Sequence, residues 1–126
     1  MDRIFSMIGM AMKAGKVVSG EFATEKAVKT GKAFLVIVSG AASDNTKKMF
    51  RNMCTFYGVP MYAYGTKEDL GHSMGIQFRA SLAVSDEGFA KSIEKRLKEA
   101  EIRAEVAEKM AKQKIYELAK ELNKQS

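Results

Sequence analysis

Tryptophan is absent from this chain, and histidine, cysteine and proline occur once each, as His72, Cys54 and Pro60. One cysteine excludes an internal disulfide and suits a reducing compartment. Its apolar, helical surroundings point to a buried small hydrophobe rather than a reactive thiol. A single His and a single Cys supply neither a metal-ligand cluster nor a nucleophile–base pair. We therefore expect no catalytic residue, no metal and no cofactor. Gly40-Ala41-Ala42 follows an apolar run but has neither the Walker spacing nor a GxGxxG pattern. No segment approaches the roughly 20 apolar residues of a membrane span. The start of the chain lacks the long apolar middle and small-residue cleavage site of a signal peptide. A soluble, cytoplasmic protein without membrane contact is expected.

What the 126 residues do contain is positive charge, net +6 and unevenly spread. Residues 1–51 hold nine Lys/Arg against four Asp/Glu, residues 52–90 two against four, and residues 91–126 ten against seven. The basic first half suggests a polyanionic partner such as nucleic acid.

Apolar residues Ile4, Phe5, Met7, Ile8, Ala11 and Met12 recur at helical spacing, so a helix from about Asp2 to Ala14 is predicted, ended by Gly15. Lys16-Val17-Val18-Ser19 reads as a short extended piece. A basic helix over Glu21 to Lys29 follows, stopped by Gly31. Phe34-Leu35-Val36-Ile37-Val38 has no polar alternation, which predicts a central strand covered on both faces. Ser43 or Asp44 caps a third helix to about Phe56, and Gly58-Val59-Pro60 stops it. Met61–Tyr64 and Ser81–Ser85 are two more strands, separated by a short helix that Thr66 opens and Gly75 closes. The alternation predicts an α/β fold: a three-layer α/β/α sandwich around a small mixed sheet.

The end of the chain differs. From Lys91 to Lys124 there is neither Gly nor Pro, and Ile93, Leu97, Ala100, Ala104, Ala107, Ala111, Ile115, Leu118 and Leu122 step at helical intervals. This predicts an extended C-terminal helix, with residues 1–95 as the globular domain and 96–126 as a helical extension. Its Ala-rich stripe fits either self-association or a protein partner, or a marginal solvated helix.

The densest functional signal runs from Lys16 to Val38. A helix N-terminus offers amides without intrahelical acceptors and the positive end of the dipole. Here that end follows Gly20, with Lys16 and Lys26 expected to flank it and Lys29 and Lys32 beyond. Phe22 can stack on a base or serve in the core. Lys47, Lys48 and Arg51 form a basic patch on the third helix that reads mainly as a solvated face. His72, and the carboxylates Glu68-Asp69 and Asp86-Glu87 at helix starts, need no acid–base role.

At the same residues a family resemblance emerges. Gly20, then Lys26-Ala27-Val28, Gly31 to Val38, Ala42-Ser43-Asp44-Asn45-Thr46, Val59-Pro60, Leu70-Gly71, Gly75, Val84 and Asp86-Glu87-Gly88 occur in the order and spacing of the kink-turn-binding ribosomal proteins. Within that family the chain most resembles the bacterial YlxQ-like branch, over roughly residues 3 to 95. The resemblance implies a four-stranded mixed sheet in the sandwich and binding to structured RNA, ribosomal RNA included. It implies contacts from the start of the second helix, at Lys16, Gly20 and Lys26, beside which Glu21 and Phe22 are our own candidates, and from the loop Ile76-Gln77-Phe78-Arg79-Ala80. Archaeal and eukaryotic relatives carry Asn-Glu two and three positions after the glycine, where this chain has Phe22-Ala23. Losing that directional donor–acceptor pair implies weaker or different base readout, with backbone contacts retained. The leading expectation is a non-enzymatic RNA-binding protein. The alternative is a protein–protein adaptor acting through its long C-terminal helix.

Overall fold

The computed structural model describes residues 2–125, which form five helices and four strands. In order they are α1 (Arg3–Lys13), β1 (Val17–Ser19), α2 (Glu21–Lys29), β2 (Leu35–Val38), α3 (Asp44–Tyr57), β3 (Met61–Ala63), α4 (Lys67–Ser73), β4 (Ser81–Val84) and α5 (Glu87–Lys124). The strands lie in the order β1-β4-β2-β3, with β2 and β3 parallel and the other pairs antiparallel. This is the expected three-layer sandwich on a mixed sheet.

The side-chain period of a strand decides which layer each residue serves. Leu35, Ile37, Leu82 and Val84 point to one side, where they pack with Ile4, Ile8 and Ala11 of α1, Leu70 of α4, and Ala90, Ile93 and Leu97 of α5. Val36, Val38 and Ala83 point to the other, against Ala27 and Val28 of α2 and Phe50 and Cys54 of α3. β2 is buried along its whole length, as its unbroken apolar run predicts. Phe34 falls outside the strand and is substantially exposed, although its N–H donates to Val84 O.

α5 is a single 38-residue helix, about 57 Å long at 1.5 Å per residue. It passes without a break through positions 95 and 96, and Leu97 is fully buried, so packing continues two residues past the expected domain edge. From residue 101 to 125 every residue is exposed. Local pairs support this part, including Glu108–Lys112 at 3.1 Å and Glu121–Lys124 at 3.9 Å. No helix among the described residues is long and apolar enough to cross a membrane.

The direction of α5 matters for the site. Its Glu94 accepts from the Tyr62 hydroxyl at 2.9 Å, and farther along Ala100, Glu101 and Ala104 line a notch with Tyr64. The helix therefore runs with β3 and leaves beyond the end of the sheet where β1, β2 and β3 finish and β4 begins.

Candidate nucleic-acid interface

Four connections meet at that end of the sheet: those after β1, β2 and β3, and the one before β4. Backbone bonds tie them together. Gly20 N–H donates to Ser81 O at 2.9 Å, Ser39 N–H to Ala80 O at 2.8 Å, and Gly40 N–H to Gly65 O at 2.8 Å.

Gly20 is the N-cap of α2 and sits at φ 93, ψ 159, a region that only glycine occupies readily. It brings no side chain to the orphan amides of the first turn. The other four helices all have a side-chain cap: Asp2 for α1, Ser43 for α3, Thr66 for α4 and Asp86 for α5. α2 alone presents an uncapped start, at which the dipole favours an anion.

Arg79 comes to this start from the loop before β4, sixty residues along the chain. Its Nε donates to Ser19 Oγ at 3.1 Å and its Nη1 to Phe78 O at 3.2 Å. A Cβ built on Gly20 would lie 3.9 Å from the same Nε. The guanidinium is thus held across the corner, its position fixed by two bonds and by Arg79 N–H, which donates to Lys67 O at 3.0 Å.

The remaining expected site residues divide by location. Phe22 is 80% exposed, which resolves its two readings in favour of a surface ring. Phe78 is 54% exposed, and Gln77 and Glu21 are exposed too. Ile76 is half-buried and packs on the core, so it anchors the loop. Lys26 is exposed about one and a half turns up α2. Lys16 is not at the corner: β1 is extended, so four residues carry it roughly 13 Å from Gly20, to the other end of the strand. There its carbonyl accepts from Ser85 N–H at 2.8 Å. Lys29 and Lys32 lie at the far end of α2, and Lys29 is engaged with Glu25 at 2.6 Å, which raises its pKa.

One contributor escaped the sequence reading as a site residue. A Cβ on Gly71 of α4 would come within 2.4 Å of Phe78 Cα and 2.6 Å of Phe78 N. The loop that carries Phe78 and Arg79 therefore lies directly on the helix backbone at Gly71. A glycine inside a seven-residue helix was the available signal, because it costs helix propensity without an evident local return.

The model of one protein family matches residues 2–94, which takes in the sandwich up to the first two turns of α5. The chain belongs to the ribosomal protein L7Ae/L30e/S12e/Gadd45 family. Membership places it among binding proteins rather than enzymes. It is 38% identical over 89 residues to the RNA-binding protein YlxQ of Bacillus subtilis, covering 71% of this chain and 89% of that one. It is 34% identical over 89 residues to the large ribosomal subunit protein eL30 of Trypanosoma brucei brucei, covering 69% and 85%. A solved structure of a Bacillus halodurans protein with unknown function superimposes with a TM-score of 0.76 at 31% identity, over 78% of this chain and 99% of that one.

Proposed function

We propose that this family member is a non-enzymatic, ribosome-associated RNA-binding protein that grips a kink-turn-like or bulged stem at the Gly20 corner. The uncapped start of α2 with Arg79 beside it carries the reading. The names of the relatives, RNA-binding and ribosomal, support it. A cytoplasmic location goes with this role.

The chemistry divides between backbone and base contacts. Amides of the first turn of α2, with Arg79 and Lys26, face phosphate oxygens. Phe22 and Phe78 offer rings on which unstacked bases can lie. Glu21 accepts only, so it suits base amino or 2′-hydroxyl groups and not phosphate. Gln77 both donates and accepts. Lys16, Lys29 and Lys32 reach only RNA that extends beyond the corner.

The test is titration of the protein with a kink-turn RNA and with a version lacking its G·A pairs. Tighter binding of the first is expected, and equal affinity would reduce the reading to generic RNA association. Lys26→Glu and Arg79→Ala should each weaken binding at least about tenfold, roughly 1.4 kcal/mol, with unchanged circular dichroism. Affinity should fall with salt, each neutralised phosphate adding roughly 0.7 to 0.9 to the logarithmic slope. A flat salt response contradicts phosphate gripping.

A further inference from the structure

Residues 101–124 of α5 extend past the family match with all side chains exposed. Ile115, Leu118 and Leu122 are 66%, 57% and 67% exposed, a solvent cost without return in an isolated chain. These residues continue the stripe that Ile93 and Leu97 begin in the core. Along it the side chains change size once: the half nearer the sandwich is alanine, and the far half is isoleucine and leucine.

We propose that this stripe is the contact surface for a second copy of the chain, paired antiparallel about Ala111. In that register Ala100 meets Leu122 of the other copy, Ala104 meets Leu118, Ala107 meets Ile115, and Ala111 meets its own counterpart. Every large side chain faces a small one, so the seam fills evenly along its length. A parallel pair would stack alanine on alanine near the sandwiches, leaving voids, and crowd leucine on leucine beyond.

Charge agrees with the antiparallel choice. Residues 99–108 hold four Glu against one Arg, and residues 109–124 hold five Lys against two Glu. Parallel pairing lays the acidic stretch on its own copy, whereas the antiparallel register sets it against residues 114–123, which hold two Lys and two Glu and are neutral overall.

The sandwich also provides an end stop. At Ala100 a notch of about 170 Å³ opens between α5 and the edge strand β3, lined by Tyr62, Tyr64, Leu97 and Ala104 among others. The register brings Leu122 of the second copy to this notch.

Cysteine placement reads the register directly. Full-length Ala111→Cys should link to itself under mild oxidation. Ala104→Cys alone should not, but mixed with Leu118→Cys it should form a heterodimer. Wild type serves as the control, since Cys54 is buried. Sedimentation should give twice the chain mass, and Ala107→Glu with Ala111→Glu should halve it while the near-ultraviolet spectrum of the sandwich stays unchanged. A monomer mass across micromolar concentrations overturns the proposal. Self-linking of Ala104→Cys as efficient as that of Ala111→Cys overturns the antiparallel register. Loss of RNA affinity on removing residues 105–126, with no change in the number of chains per particle, would assign the tail to RNA instead.

Discussion

The hydroxyls of Thr24, in the first turn of α2, and Ser81, at the start of β4, are buried, and neither has a hydrogen-bond partner among the described residues. A buried polar group left unpaired costs about 1–3 kcal/mol, so an apolar isostere should remove that cost. Thr24→Val is accordingly expected to raise stability by roughly 1 kcal/mol in denaturant titrations, and a loss of similar size would reveal a hidden bond. At Cys54 burial pushes the thiol up to about 11, so the native protein should resist thiol reagents at neutral pH and react only on unfolding. Tyr64 is pushed up to about 12, first by burial and then by its hydrogen bond to Asp2; Tyr62 rises further through burial and Glu94. Raised values favour the protonated, folded form. Their contribution is complete below about pH 10, the ordinary tyrosine value, and is lost as pH climbs through the folded values. Alkaline unfolding followed by tyrosinate absorbance should start above pH 10, and Tyr64→Phe should flatten its pH dependence. Composition and context foretold the buried thiol, whereas the orphan hydroxyls could not be read from the chain, because hydrogen-bond satisfaction depends on packing.

Between elements, the approach of the loop before β4 to α4 sets the position of Arg79. Gly71→Ala would drive a methyl group into the Phe78 backbone, so the loop has to move. We expect weakened RNA binding with the sandwich still folded. Gly20→Ala acts at the other half of the corner by straining φ 93, at a cost of about 1–3 kcal/mol. Calorimetry and RNA titration of both variants separate the effects: Gly20→Ala should lower stability and affinity, Gly71→Ala chiefly affinity. Helices and strands were legible because Gly and capping residues punctuate the chain and β2 has an unbroken apolar run. The position of Lys16 was not, since proximity in sequence suggested a neighbour where an extended strand creates distance. Arg79 reached the sequence reading through family resemblance alone. Its partner Ser19 is sixty residues away, a separation that no local pattern spans.

For the whole molecule, the sandwich and the tail are one helix-linked body with unequal packing. Cutting at Lys95 would remove Leu97, which is 1% exposed, and damage the core. A chain ending at residue 104 should keep its near-ultraviolet spectrum and melt cooperatively, because residues 105–125 are all exposed; broad melting would show that the tail stabilises the domain. The helical character of this segment was evident in the sequence, but its direction was not, as that depends on α5 running with β3. That direction bears on traffic around the corner. From Ala100 to Lys124 the helix extends for roughly 36 Å past the same end of the sheet that carries Gly20. It stands there as a fender: for RNA held at Gly20 as proposed, the helix occupies the β3 flank and the β1 side is the one it leaves free.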